Sequence, residues 1–395
     1  MNRYRIAGLS GGNKNLGLNR NKSERVLTVG RIILLTFLFL LLTLFFLVYV
    51  FLNYYVPADN PADIDFGDEF LHDIDIDWDT ADPDNPPAPN ANAAPVNERD
   101  KDCYNFLILG KDVTGTNTDV MMIVMLNVRE NTLSILNLPR DTYVTTKNYS
   151  GKINGVYNRG RLNAVNSGNT KEESQKAGIE YLKAMIKYTL GIEIKYHAFM
   201  DLTGFKALVK AVGGVDMTVP RDMYYSDPDQ NLLINLKKGW QHLDENQAEQ
   251  LVRYRAGYAD ADIGRIRTQQ IFIAALMKKI MKFDIENIKN IYEIGSKYLI
   301  TNVSLPNAIY FATKVLNVKM EDMRTHTMPG NWIPSVLRYQ LYKKETVEII
   351  NKYYNPYKNA IPESSFNIYD KDLLNFNGYK PDFDTDGKTL ASLVQ

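Results

Sequence analysis

The sequence predicts an α/β protein, a mixed central β-sheet with helices on both faces, preceded by one transmembrane helix. Three observations carry this. The runs "YNFLILG", "VMMIVMLNV" and "TLSILNL" read as closely spaced strands, and helix-period segments alternate with further short strands after them. Ahead of both, Ile32 to Leu52 is continuously apolar.

The N-terminal segment 1–31 carries Arg3, Arg5, Lys14, Arg20, Lys22, Arg25 and Arg31 against the single acid Glu24. The positive-inside rule keeps such a segment in the cytoplasm and sends the chain beyond the apolar span outside. Residues 32–52 lack charge, and at about 1.5 Å per residue they span about 30 Å, the thickness of bilayer hydrocarbon. A cleaved signal peptide would have a shorter apolar core and a small-residue cleavage site, which "NYYVPADN" does not offer. Residues 53–100 are rich in Asp, Pro, Asn and Ala, the composition of a self-repelling linker; "DIDIDWD" lacks the glycine and closing Glu of a calcium-binding loop. The globular region is expected over 101–354 and a loosely held tail over 355–395.

Inside the globular region "RENT" turns the second strand into the third. "KEESQKAGIEYLKAMIKYTLG" has apolar residues at helical spacing and ends on Gly191, while "LTGFKALVKAVGG" ends on Gly213 and Gly214. "DENQAEQLVRYRA" begins at Asp244, a good N-cap, and "SLPNAIYFATKVLN" begins at Ser304 with Pro306 in its first turn. "KYHAFM" and "VDMTVP" are strand candidates, and "GRIRTQQIFIAALMKKIMKF" is a further helix.

Composition excludes several function classes. Lys plus Arg and Asp plus Glu stand at 46 each, so charge gives a nucleic-acid partner no support. The lone Cys103 excludes an internal disulfide and a multi-cysteine zinc site.

Chemistry-bearing residues gather in three places. In "GKDVTGTNTDVMM", Asp112 follows one strand and Asp119 precedes the next, so a short loop can fold the carboxylates together; paired carboxylates suit Mg²⁺, although Asp and Asn are also ordinary turn residues. In "LNLPRDTYV", Pro139 ends a strand and projects Arg140, and "GKINGVYNRG" then supplies Lys152, Asn154 and Tyr157 between two glycines, as candidate substrate-binding loop residues. In "LVRYRAGYADADIGRIRTQQ", Arg253 and Arg255 stand at a helix end, Asp262 opens the next helix, and Arg265 and Gln269 share one of its faces. Guanidinium groups fork onto two phosphate oxygens, and the adjoining apolar "IFIAALMKKIM" suits a lipid tail.

In order along the chain, "FLILGKD", "TDVMMIVMLN", "LSILNLPRDTYV", "KINGVYNRG", "FMDLTGFKALVKAVGGVDMTVP" and "LVRYRAGYADADIGRIRTQQ" resemble the LytR-CpsA-Psr family. The resemblance covers about Cys103 to Asn351. It implies transfer of a glycopolymer, such as teichoic acid or capsular polysaccharide, from an undecaprenyl-pyrophosphate carrier to peptidoglycan at the outer face of the membrane, with Mg²⁺ (or Mn²⁺) on the pyrophosphate. By motif, Asp112 and Asp119 match the metal-associated acids. Arg140, Lys152, Arg253, Arg255 and Arg265 match the pyrophosphate-binding cations, with Asp262 and Gln269 as their partners.

Two departures stand out. The Asp112 to Asp119 loop is short and lacks an arginine two residues after the first acid, and Thr268 stands where many relatives carry an arginine, with Arg267 beside it as a candidate substrate-binding residue. A non-catalytic, membrane-tethered polymer-binding or regulatory protein is the alternative from another class, and hydrolysis of the lipid pyrophosphate is the alternative within the same site. A carrier lipid requires a long apolar cavity, expected to be bounded by Ile271, Phe272, Ala275 and Leu276 and to open at Arg140, Arg253, Arg255 and Arg265.

Overall fold

The computed structural model describes residues 98–111, 117–230, 232–259, 262–369 and 386–394. The apolar segment 32–52 and Asp112 lie outside them. Among the described residues no helix is long and apolar enough to cross a membrane.

The chain opens with Cys103–Lys111 (β1), Thr118–Asn127 (β2) and Thr132–Asn137 (β3), an antiparallel meander whose β2–β3 turn places Asn131 at φ 51°, a left-handed conformation that Asn tolerates. A small hairpin comes next, Tyr143–Thr145 (β4) with Ser150–Lys152 (β5), and then helices Asn154–Asn166 (α1) and Lys171–Leu190 (α2). Thr170 and Glu173 close a capping box on α2, which ends at Gly191 with φ 69°. Tyr196–Met200 (β6) leads into Leu202–Ala211 (α3), capped by Asp201. Four strands succeed it: Val215–Val219 (β7), Met223–Asp227 (β8), Leu232–Leu236 (β9) and Gly239–Leu243 (β10). Helices Glu245–Arg253 (α4), Asp262–Ile280 (α5) and Ile285–Gly295 (α6) come after these, with Asp244 capping α4 as its sequence predicts. The chain continues through Ile300–Thr301 (β11), Leu305–Leu316 (α7, capped by Ser304), Met323–Thr327 (β12), Gly330–Ile333 (β13) and Arg338–Leu341 (β14).

Six strands form the central sheet in the order β11-β6-β1-β2-β3-β12. The β6–β1 and β3–β12 pairs are parallel and the rest antiparallel, so the sheet is mixed, as expected. Alternation along β1 shows how it is covered on both faces. Leu107 and Leu109 pack in one core with Ile179, Leu182 and Ile186 of α2, whereas Phe106 turns to a second core containing Ala274 of α5 and Phe311 of α7. A third core joins β7 to β10 with α3, α4 and the Phe272 and Ala275 side of α5. The two sides of α5 are therefore committed to different cores.

The segment after residue 354 differs from its expected loose hold. Ile361 and Phe366 are buried in the first core, and Leu390 is fully buried against β12, where Thr389 bridges Arg324. Aromatic and aliphatic residues spaced among Asn, Asp and Pro suffice to dock an irregular segment that has no helical or strand period to reveal it.

Candidate functional site

Asp119 is positioned by a bulge. In the β1–β2 ladder Gly110 pairs with Val120 and Lys111 with Thr118, so Asp119 is passed over and its side chain is re-aimed. Arg140 stands three residues beyond the end of β3, after Pro139, whose carbonyl accepts from the Thr142 N–H at 3.0 Å and so turns the chain there. Asp262 and Arg265 occupy the first turn of α5.

These elements bring four side chains together. Arg140 makes a short ion pair with Asp119, and its Nε lies 3.5 Å from Oδ1 of Asp262. A terminal nitrogen of Arg265 lies 2.8 Å from the same Oδ1 and donates to the Asp119 carbonyl oxygen at 3.3 Å. The pairs to Asp262 are close in distance but not aligned as hydrogen bonds. Nε of Arg140 and Nε of Arg265 are buried with no hydrogen-bond acceptor among the described residues. Buried donors of this kind are costly unless a polar group meets them, and an anion with several oxygens would do so.

Burial works against the charge on both arginines. For Arg140 the neighbouring carboxylates of Asp262 and Asp119 outweigh it and raise the pKa above the ordinary guanidinium value. For Arg265, only 5% exposed, burial wins and lowers the pKa, with Asp262 opposing and Arg140 adding repulsion. Starting from so high a value, the group remains a cation.

Arg253 is the last residue of α4 and Arg255 lies just past its end, so the unwinding turn carries both onto one wall. Arg253 pairs with Glu249 at 2.9 Å and donates to Gln230 at 2.9 Å. Gln269 is on the same wall, where its Nε2 donates to the Val252 carbonyl at 3.0 Å and ties α5 to the end of α4.

The second cluster is brought together only in part. Lys152 ends β5 and pairs at 2.9 Å with Asp141, the residue after Arg140, but does not itself line the wall that carries the arginines. Asn154 and Tyr157, expected in a loop, belong to α1. The Asn154 N–H donates to the Arg140 carbonyl at 3.2 Å and so supports that loop from behind, while Tyr157 is fully buried in the core, 4.9 Å from Phe199 between ring centroids. The substrate-binding role expected of Tyr157 is therefore corrected to a packing one. Glycine on both sides gave the segment the look of a loop, yet Gly160 and Gly178 let α1 and α2 approach so closely that a Cβ at Gly178 would lie 2.7 Å from the Tyr157 carbonyl oxygen. Thr268 bonds to the Tyr258 hydroxyl and to the Gly264 carbonyl at 3.2 Å, turned away from the cavity wall, and the partly exposed Arg267 does not reach that wall either.

Arg140, Arg253, Arg255 and Arg265 line a cavity of about 1050 Å³. Phe272, Ile273, Leu276 and Ile280 line it along α5, facing Phe205, Leu208 and Val209 of α3, with Ile291 of α6 beyond. From Arg265 to Ile280 the helix advances 15 residues, roughly 22 Å at about 1.5 Å each. The expected cavity is thus present and meets the expected arginines, but only half of its expected helical lining takes part. Ile271 and Ala275 pack instead into the neighbouring core. The space comes from the gap between α5 and α3 rather than from the small residues Ala274 and Ala275.

Sequence reasoning missed the other rim. Asp141, Tyr258, Asn331, Trp332 and Tyr339 also line the cavity. Tyr258 folds onto the start of α5 because Gly264 has no side chain, since a Cβ there would lie 2.3 Å from the ring. The alternating "NWIPSVLRYQL" carried the signal of the β13–β14 hairpin.

Asp119, partly exposed on this wall, is an acceptor-only group of the type Mg²⁺ prefers. Among the described residues no three metal-ligating side chains cluster. Mg²⁺ needs only one or two carboxylates, with water and phosphate completing its shell, so this wall fits the ion.

Similar folds occur in solved structures. TagV of Bacillus subtilis has a TM-score of 0.53 at 22% identity, covering 64% of this chain and 96% of that one. A protein of Streptococcus agalactiae has a TM-score of 0.55 at 21% identity, covering 70% and 96%. Among curated relatives, the polyisoprenyl-teichoic acid–peptidoglycan teichoic acid transferase TagU of Bacillus mycoides is 30% identical over 184 residues, 45% of this chain and 53% of its own. The like-named TagV of Bacillus subtilis is 29% identical over 198 residues, 49% of this chain and 46% of its own. The match thus spans about half the length of these relatives. Residues 76–356 match the LytR_cpsA_psr family as a whole, well over half of the chain, and with the fold and motif order in agreement the protein belongs to that family.

Proposed function

We propose that the protein is a membrane-anchored phosphotransferase that moves a glycopolymer from a polyprenyl-pyrophosphate carrier to peptidoglycan, and that segment 32–52 anchors it with the catalytic domain outside the cell. The observation that carries this reading is the arginine cluster on the wall of a largely apolar cavity, which would suit the two halves of a lipid pyrophosphate in one site. The names of TagU and TagV, and a TagT structure described as bound to LIIa-WTA, point the same way.

In this reading the prenyl chain lies along α5 and the pyrophosphate meets Arg140, Arg265, Arg253 and Arg255. An acceptor hydroxyl oxygen of peptidoglycan attacks the phosphorus that carries the saccharide. A new phosphodiester forms, the P–O bond to the bridging oxygen breaks, and prenyl monophosphate leaves as the hydroxyl proton is released. Arg140 and Arg265 take up the charge that develops on the leaving phosphate, held in register by Asp262. Asp119, with Asp112, would hold Mg²⁺, which supplies further charge neutralisation on the pyrophosphate oxygens.

Incubating the full-length protein in detergent with a prenyl-pyrophosphate saccharide, Mg²⁺ and peptidoglycan fragments tests this. Saccharide phosphate joined to the fragments supports it. Release of free saccharide phosphate alone identifies a hydrolase, no turnover leaves the non-catalytic binder, and full activity in chelator refutes the metal.

A further inference from the structure

Helix α6 covers the end of the cavity away from the arginines. Arg265 stands in the first turn of α5, whereas Ile280, the last residue of that helix, lines the far end together with Ile291 of α6. The α6 helix rests on α3 at Gly295, where an added Cβ would lie 2.9 Å from the Leu208 side chain, itself part of the cavity wall. Elsewhere it is lightly packed, and Gly295 is the one buried residue along its length. Its sequence explains why. Isoleucine recurs at 285, 288, 291 and 294, and each step of three residues falls about 60° short of a full turn. The apolar arc therefore spreads around roughly half of the helix, wider than the line that meets α3 and the cavity. Ile285 and Ile294, at the two edges of the arc, are exposed, as is Tyr298 just past the C-terminal end. Glu286 and Glu293, seven residues apart, share the opposite face.

A membrane is the occupant that fits an apolar arc in this place. A prenyl pyrophosphate keeps its tail in the bilayer and its charged head in water, so a site that takes it up presents its apolar end to the membrane and leaves the arginine end to a water-borne acceptor. The charge agrees: residues 278–298 carry five lysines against three acids, and Lys282 and Lys297, at either end of α6, are exposed. Exposed isoleucines, an exposed tyrosine and flanking lysines are the make-up of a helix that lies in the interface of a bilayer containing anionic lipid. The β8–β9 hairpin also exposes Tyr224 and Leu233, but Gln230 at its turn accepts from Arg253, which puts it at the arginine end.

We propose that α6 is the surface the protein lays on the outer face of the membrane, with Ile285, Ile294 and Tyr298 among the lipid headgroups, and that the prenyl chain enters the cavity past this helix. This rests on the function proposed above. It gives that site a direction, with the apolar end of the cavity toward the bilayer and the arginines toward the acceptor.

The test uses the full-length protein in vesicles containing anionic lipid, with a fluorophore on one introduced cysteine, since Cys103 is buried. A nitroxide carried by a lipid at headgroup depth should quench a label at Ile294→Cys at least roughly twofold more than one at Leu162→Cys, an exposed position on α1, a helix of the first core. Equal quenching at the two positions would overturn the proposal. Stronger quenching at Tyr224→Cys than at Ile294→Cys would also overturn it, giving the membrane to the β8–β9 hairpin. Ile285→Glu combined with Ile294→Glu, at residues outside the cavity wall, should lower transfer from a long-chain donor embedded in vesicles roughly tenfold and change transfer from a short-chain donor in detergent by no more than about twofold. An equal loss for both donors, or no loss for either, would overturn it. The labels report without turnover, so a wild type that transfers from neither donor counts against the proposed function, and the quenching still decides for or against α6.

Discussion

The Asp262 carboxylate lies 2.8 Å from the Arg265 guanidinium, one turn further along the same helix, and the same oxygen lies 3.5 Å from Nε of Arg140, in the loop beyond a sheet strand. One acid thereby sets the spacing of two arginines that arrive from different elements, and each keeps a buried Nε without an acceptor among the described residues. What an arginine offers here is geometry as well as charge.

Arg140→Lys and Arg265→Lys should therefore each lower kcat/KM for transfer by about 10² to 10³, the usual cost of losing a charge-stabilising donor, while the fold persists. Steady-state kinetics with circular dichroism as the folding control would check this. Near-normal rates for both variants would make the arginines peripheral.

Gly264→Ala tests the Tyr258 strap. The added methyl would meet the Tyr258 ring at 2.3 Å, so the ring must leave its place over the start of α5. Overpacking of this kind costs about 1–3 kcal/mol. Thermal unfolding should shift down, and transfer should fall further than for an exposed control such as Leu162→Ala.

His197 gives a pH dependence of stability. Burial, with Lys183 and Lys176 nearby, lowers its pKa to about 3 and keeps the imidazole neutral in the folded state, although Glu180 lies 3.8 Å away. A folded pKa below the unfolded value of about 6.5 means that the unfolded chain binds the proton first, so stability is complete above that pH and falls as pH drops toward 3. His197→Gln should flatten the decline of Tm between about pH 6.5 and 4 relative to wild type. Equal slopes would show that His197 is not protected.

Most of the sheet was legible because β1, β2 and β3 are compact apolar runs joined by short loops, and two of the helices because their caps, Asp244 and Ser304, are explicit. The site was legible where arginines and acids stand beside strand or helix ends. Tyr157 misled because Gly160, which serves close helix packing, helps give its segment a loop-like composition. Trp332 was missed because its position near Arg140 depends on a hairpin about 190 residues later in the chain docking through Tyr339, a long-range contact that no local period encodes.

The central claim is that the cavity and the arginines hold one lipid pyrophosphate between them. Native mass spectrometry of the full-length protein, purified gently in detergent from membranes, tests it most directly. The wild type should retain prenyl phosphate or pyrophosphate, the Arg253→Ala/Arg265→Ala double variant should retain less, and Leu276→Trp, which fills the cavity far from the arginines, should also retain less. A wild type free of lipid, or equal retention by all three proteins, would contradict it.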